Sequence, residues 1–209
     1  MNKTLKEELK MKKEFTKTIF EKLSLTLNDD FKIVNGLGGD IIIHFPKITS
    51  NIKIRICVCN YGMPDGTNSY SVGVSLHNLH KVADIDNTLI DTCRIKITEN
   101  ENIWIDNIKN ILVSFKEKME RYIDFIQAFN DSFDETHDSL SCRSMINTVN
   151  MTAYFHGPNN NFAYIKPIFN LKDSYTTLEV GNGVVPPMTF YTSISFDDLK
   201  HAINFLIGC

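Results

Sequence analysis

No uninterrupted apolar stretch in these 209 residues approaches the ~20 that a membrane-spanning helix needs, so the sequence predicts no membrane partner. Neither sign of charge dominates. With 22 Lys and Arg against 25 Asp and Glu, a formal charge of -3 leaves no electrostatic footprint for duplex DNA, and any nucleic-acid site must be local. Cysteine is sparse and odd in number, five in all, and Cys57 and Cys59 stand in an alternating run where a strand points both sulfurs to one face. Such a pair is poorly placed to bond to itself. The first residues are rich in Lys and Glu and lack the apolar core of a secretory signal, so the expected setting is reducing and cytoplasmic, with free thiols. What is abundant is core material: 43% hydrophobic residues, with fourteen Phe and seven Tyr, exclude global disorder and suffice for one large domain or two small ones. The wealth of Asn, Ile and Lys is what an AT-rich genome, such as that of a phage or a low-GC bacterium, produces.

Leu5, Leu9, Phe15, Ile19, Phe20 and Leu23, spaced among Lys, Glu and Thr, predict an amphipathic helix over 3–27 that Asn28-Asp29-Asp30 stops. Strand, turn and strand follow at 31–34, Gly36-Leu37-Gly38-Gly39 and 40–45. The clearest strand has Ile52, Ile54, Ile56 and Val58 alternating with Lys53, Arg55, Cys57 and Cys59. Tyr70, Val72, Val74 and Leu76 form the next, backed only by Ser71, Gly73 and Ser75, and Cys93, Ile95 and Ile97 the one after, backed by Arg94 and Lys96. Helical spacing takes over from 105 to 129, and 130–141 is acidic and polar, a linker by composition. Four short strands then fit 151–156, 162–169, 175–181 and 188–194, and Ser195 with Asp198 forms a capping box for a helix to about 207.

Two segments match almost type for type: Ile105-Asp106-Asn107-Ile108-Lys109-Asn110-Ile111-Leu112 and Phe196-Asp197-Asp198-Leu199-Lys200-His201-Ala202-Ile203. Each follows a run of strands. The predicted fold is α+β, with two antiparallel four-to-five-stranded meander-plus-helix units preceded by the N-terminal amphipathic helix. The expected divisions are 1–129, the linker 130–141, and 142–209. A tandem of this layout is similar to the Whirly and PUR-type folds, a resemblance that implies single-strand nucleic-acid binding.

If the isoleucines face the core, Lys53, Arg55, Arg94 and Lys96 face outward across a lane of small residues. Turn midpoints set Arg55 opposite Ser75 and Arg94 opposite Ser71, so the two basic pairs lie roughly 14 Å apart at ~3.4 Å per residue. In the second half Tyr164, Lys166, Tyr175 and Tyr191 fall on the face opposite Ile165, Leu178, Val180, Phe190 and Ile194. A basic groove with stacking aromatics could track a single strand, and the same residues also suit a solvated or protein-covered face.

Chemical signatures are broken wherever they begin. Cys57, Cys59, His77 and His80 supply ligand types for zinc, but hairpin register sets His77 opposite Lys53, four residues from Cys57 and too far for one ion. Asp84, Asp86 and Asp91 lack the Gly and terminal Glu of a calcium loop, and the glycine turn lacks the Lys-Ser/Thr of a phosphate loop. Asp40 ahead of the Ile52 strand resembles the opening of the PD-(D/E)xK nuclease core, but the following strand carries no Asp or Glu to share a magnesium ion. Asp40 is better placed to close the glycine turn, which leaves at most a nuclease-like fold with a degenerate site. No catalytic residue, metal or cofactor is assigned. The expected function is that of a small cytoplasmic interaction or inhibitor protein, phage-encoded, working through a protein partner or its own second copy. The alternative is a single-strand nucleic-acid binder using the eight cationic and tyrosine residues above.

Overall fold

The computed structural model describes residues 3–62, 68–78, 88–134, 145–147, 151–157, 160–173 and 175–208. The chain divides into two units, Met1–Phe115 and Lys116–Cys209.

In the first unit, α1 (Lys3–Thr26) buries Ile19 and Leu23 completely, four residues apart on one stripe. It ends where an Asn can hold a turn: Asn28 Oδ1 accepts from the Asp30 N–H at 3.2 Å, and Lys47 Nζ reaches Asp30 at 2.8 Å. Five strands follow: β1 (Lys32–Asn35), β2 (Ile41–Phe45), β3 (Thr49–Gly62), β4 (Asn68–Asn78) and β5 (Thr88–Lys96). They pair in chain order, all antiparallel. Between β1 and β2 the Gly36 N–H donates to the Asp40 carbonyl at 2.7 Å, and Gly38 and Gly39 take φ of 76° and 83°, a region any other residue would enter with strain. One face of the sheet carries the core, with Ile41, Ile43, Phe45, Ile52, Ile54, Ile56, Val58, Val72, Val74, Leu76 and Cys93 buried. Phe45 meets Phe31 and Phe115 at ring separations of 5.7 and 5.6 Å.

The boundary between units falls inside α2 (Glu101–Asp134), whose apolar stripe supplies both cores. Trp104, Ile108, Leu112 and Phe115 are buried in the first half, and Met119, Tyr122, Ile126 and Phe129 in the second. The helix extends past the expected 105–129 at both ends. Glu101 suits the positive end of the dipole, and Trp104 one turn in lies on the buried stripe. Residues 130–134 of the expected linker are helical, and 135–141 lie outside the described residues.

The second unit holds β6 (Met145–Asn147), β7 (Thr152–His156), β8 (Phe162–Ile168), β9 (Thr177–Gly181) and β10 (Met188–Tyr191) in one antiparallel sheet of order β10-β9-β8-β7-β6. β6 adds a fifth strand to the four read from the pattern. Ala153, Phe155, Ala163, Ile165, Leu178 and Val180 form its buried face. Against it α3 (Phe196–Ile207) sets Leu199, Ala202, Ile203, Leu206 and Ile207. Ser195 caps α3 as its sequence predicts: the side chain accepts from the Asp198 N–H at 3.1 Å and donates to Asp198 Oδ2 at 2.6 Å. The other end is tied down by two asparagines, Asn161 donating to the Ile207 carbonyl at 3.2 Å and Asn182 to that of Leu206 at 3.0 Å. The fold is thus α+β, with two sheet-and-helix units behind an N-terminal helix.

Candidate functional site

The face of the first sheet opposite its core is organised in cross-strand rows. One row runs Lys32, His44, Lys53, His77 through direct pairings. The next holds Ile42, Arg55, Ser75 and Thr92, the next Cys57, Gly73 and Arg94, and the last Cys59, Ser71 and Lys96. Lys53, Arg55, Arg94 and Lys96 therefore occupy four successive rows as a diagonal band. Arg55 pairs with Ser75 as expected, but Arg94 pairs with Gly73 and not Ser71, so the two arginine rows are about 7 Å apart at ~3.4 Å per residue. A β-bulge explains part of this shift. His77 pairs with Leu89 while Leu76 pairs with Asp91, so Ile90 is the extra residue. Without it Arg94 would oppose Val72 and turn into the core, because a one-residue slip exchanges the faces of a strand.

Two of the four cations have defined partners. Arg55 grips the buried Asp40 carboxylate through Nε at 2.6 Å and through Nη2, and Arg94 lies over the Tyr61 ring at 4.7 Å. Asp40 closes the glycine turn with its carbonyl, while its carboxylate is committed to Arg55. Like charges crowd the first row. His44 is held below its usual pKa, first by burial and then by Lys53 and Lys32, and Lys53 is lowered by burial and then by Arg55. Lys32, His44 and Tyr61 belong to this face but were not singled out by the sequence pattern. The signal for them was present, since each sits at an outward position of an alternating strand.

Cys57 and Cys59 share this face with their sulfurs 3.6 Å apart. Burial pushes the Cys57 thiol up to about 11, with the neighbouring Cys59 thiol and the Asp40 charge adding to it. Gly73 gives the sulfurs room, because a Cβ there would stand 3.0 Å from Cys57 Sγ. His77 lies opposite Lys53, and His80, Asp84 and Asp86 lie outside the described residues. Among the described residues, no three His, Cys, Asp or Glu side chains are gathered to hold a metal ion.

On the outer face of the second sheet Tyr164 pairs with Gly181, Lys166 with Glu179, and Tyr191 with Thr177. Glu179 joins the first group: its Oε1 accepts from Tyr164 Oη at 2.9 Å and from Lys166 Nζ at 2.8 Å. Tyr164 is accordingly raised above its usual pKa, by burial first and then by Glu179. Glu179 was not singled out by the sequence pattern, and only the β8–β9 register sets it beside Lys166. Tyr175 precedes β9, and its ring meets that of Tyr191 edge-on at 5.2 Å with both rings exposed, 47% and 58%. At the far end of the same unit Asn182 accepts from the Val184 and Val185 N–H groups, and Val184 and, on α3, Phe205 are 85% and 75% exposed. The chain matches no family model, no curated protein and no solved structure.

Proposed function

We propose that this protein acts by binding rather than by chemistry, as a small cytoplasmic interaction or inhibitor protein that meets a protein partner, or its own second copy, through the open face of its second sheet. The exposed Tyr175–Tyr191 pair carries the reading. Tyrosine is the residue type that interfaces enrich, since one ring buries a large apolar area at little conformational cost and keeps a polar tip. Lys166 and Tyr164, already fixed by Glu179, give this face a polar rim that loses little freedom on docking. Tagged chain used as bait in native host extract, beside the Tyr175→Ala/Tyr191→Ala variant, tests it. A specific protein, or untagged copies of the chain, should be retained by the first bait and lost from the second. Equal capture by both baits refutes this surface.

A second reading, single-strand nucleic-acid binding by the first sheet, is favoured by one observation: the diagonal band of cations crosses a lane of Ser75, Gly73 and Ser71, with Arg94 already stacked on Tyr61. Polarisation titrations with a mixed-sequence single strand at low and moderate salt separate the two. Binding that weakens as salt rises supports this second reading, and no binding at low salt removes it.

A further inference from the structure

A cavity of about 380 Å³ lies where α1 passes the β1–β2 glycine turn in the first unit. Its helix side is a stripe of Leu9, Lys13, Thr16 and Phe20, positions three or four apart and thus one above another, flanked by Lys12 and Lys17. Its other side is Asn35 with Gly38 and Gly39, and an added Cβ on either glycine would meet nothing within 4 Å. This is not the stripe that fills the core, which runs through Ile19 and Leu23.

Three features bound what can fit. Among the described residues every charged lining side chain is cationic, three lysines in a chain whose formal charge is -3. Phe20, Leu9 and the lysine stems line the rest with hydrocarbon, so a bare ion leaves that surface unused. The volume sits at the lower end of the roughly 300–1,000 Å³ typical of small-molecule sites. Thr16 donates its hydroxyl proton to the Lys12 carbonyl at 2.9 Å and so offers only acceptor lone pairs, which leaves the Asn35 amide and the ammonium groups as side-chain donors. Lys17 also stands 3.7 Å from Glu21, an exposed pair that an anionic ligand can displace at small cost.

We propose that this cavity binds a small organic anion, a phosphate or carboxylate group held by Lys12, Lys13 and Lys17, with an apolar body against Leu9 and Phe20. The site stands apart from both sheet faces and does not depend on either reading above. The test is calorimetric titration of the full chain with phenyl phosphate, benzoate, inorganic phosphate and phenol. The variants are Lys12→Gln/Lys13→Gln/Lys17→Gln and a charge-matched control, Lys6→Gln/Lys10→Gln/Lys109→Gln, each confirmed folded by circular dichroism. At least one of phenyl phosphate and benzoate should bind saturably, more tightly than inorganic phosphate or phenol, and the stronger of the two names the anionic group. The first variant should weaken that binding about tenfold or more and the control should not. Absence of saturable binding by both aromatic anions, equal loss in both variants, or equal binding of inorganic phosphate or phenol overturns the proposal.

Discussion

At the scale of single residues, electrostatics and packing give separate handles on the outer faces. His44 is the clearest pH-sensitive group. Its folded pKa is lowered from 6.5, so between the two values the unfolded chain holds more protons than the folded one. The stability attached to His44 is therefore complete above about pH 6.5 and declines as the pH falls through 6.5 toward the folded value. Urea midpoints at about pH 7 and about pH 5 should separate less for His44→Gln than for the parent chain. Equal separation means that neither burial nor the charges of Lys53 and Lys32 lower the ring's pKa in the folded chain. Cys57, pushed up to about 11 from an ordinary 9.0, should be alkylated slowly at neutral pH and reach half its limiting rate near pH 11. Peptide-level mass spectrometry after iodoacetamide pulses reads this directly, and half-maximal labelling near pH 9.0 contradicts the burial described for it. Gly181 lies under Tyr164, with a Cβ position 2.8 Å from Tyr164 Oη. Gly181→Ala should push that ring off Glu179 and cost about 1–3 kcal/mol in thermal unfolding, the range for overpacking.

At the scale of elements, the helices were legible wherever side-chain periodicity and capping agreed. Ser195 with Asp198 marks the start of α3, and Ser195→Ala should cost about 1 kcal/mol, measurable as a shifted denaturant midpoint with unchanged slope. An unchanged midpoint would mean that packing of Leu199 and Ile203 alone sets that end. The matching octapeptides keep their burial pattern: Ile108 and Leu112 are buried in α2 as Leu199 and Ile203 are in α3. Their placement differs, since Phe196 opens α3 while Ile105 lies beyond the first turn of α2. Strand existence was equally readable from alternation, because one face of each sheet is buried, except at β6, whose three residues are too few to show a period. Strand register was not. The Ile90 bulge that moves Arg94 beside Gly73 has no marker such as a glycine, and turn midpoints cannot count an extra residue inside a strand. The same limit hid Glu179, whose partners Tyr164 and Lys166 are 15 and 13 positions away in sequence and become neighbours only through the ladder.

At the scale of the whole molecule, the repeated layout of sheet and helix carries two different outer faces. The first presents Lys32, Lys53, Arg55, Arg94 and Lys96 among small residues, and the second presents the Tyr175–Tyr191 pair and the group of Tyr164 and Lys166 on Glu179. What repeats in the sequence is therefore scaffold, and the proposed binding face belongs to the second unit alone. The tyrosine face of the second unit is tested most directly by 3-fluorotyrosine labelling of the full chain, with signals assigned by single Tyr→Phe substitutions and fluorine spectra recorded before and after addition of native host extract. Tyr175 and Tyr191 resonances should shift or broaden, while that of Tyr122, 1% exposed and bonded to the Ile165 carbonyl, stays in place. Unchanged Tyr175 and Tyr191 signals, or uniform broadening that includes Tyr122, would contradict binding through this face.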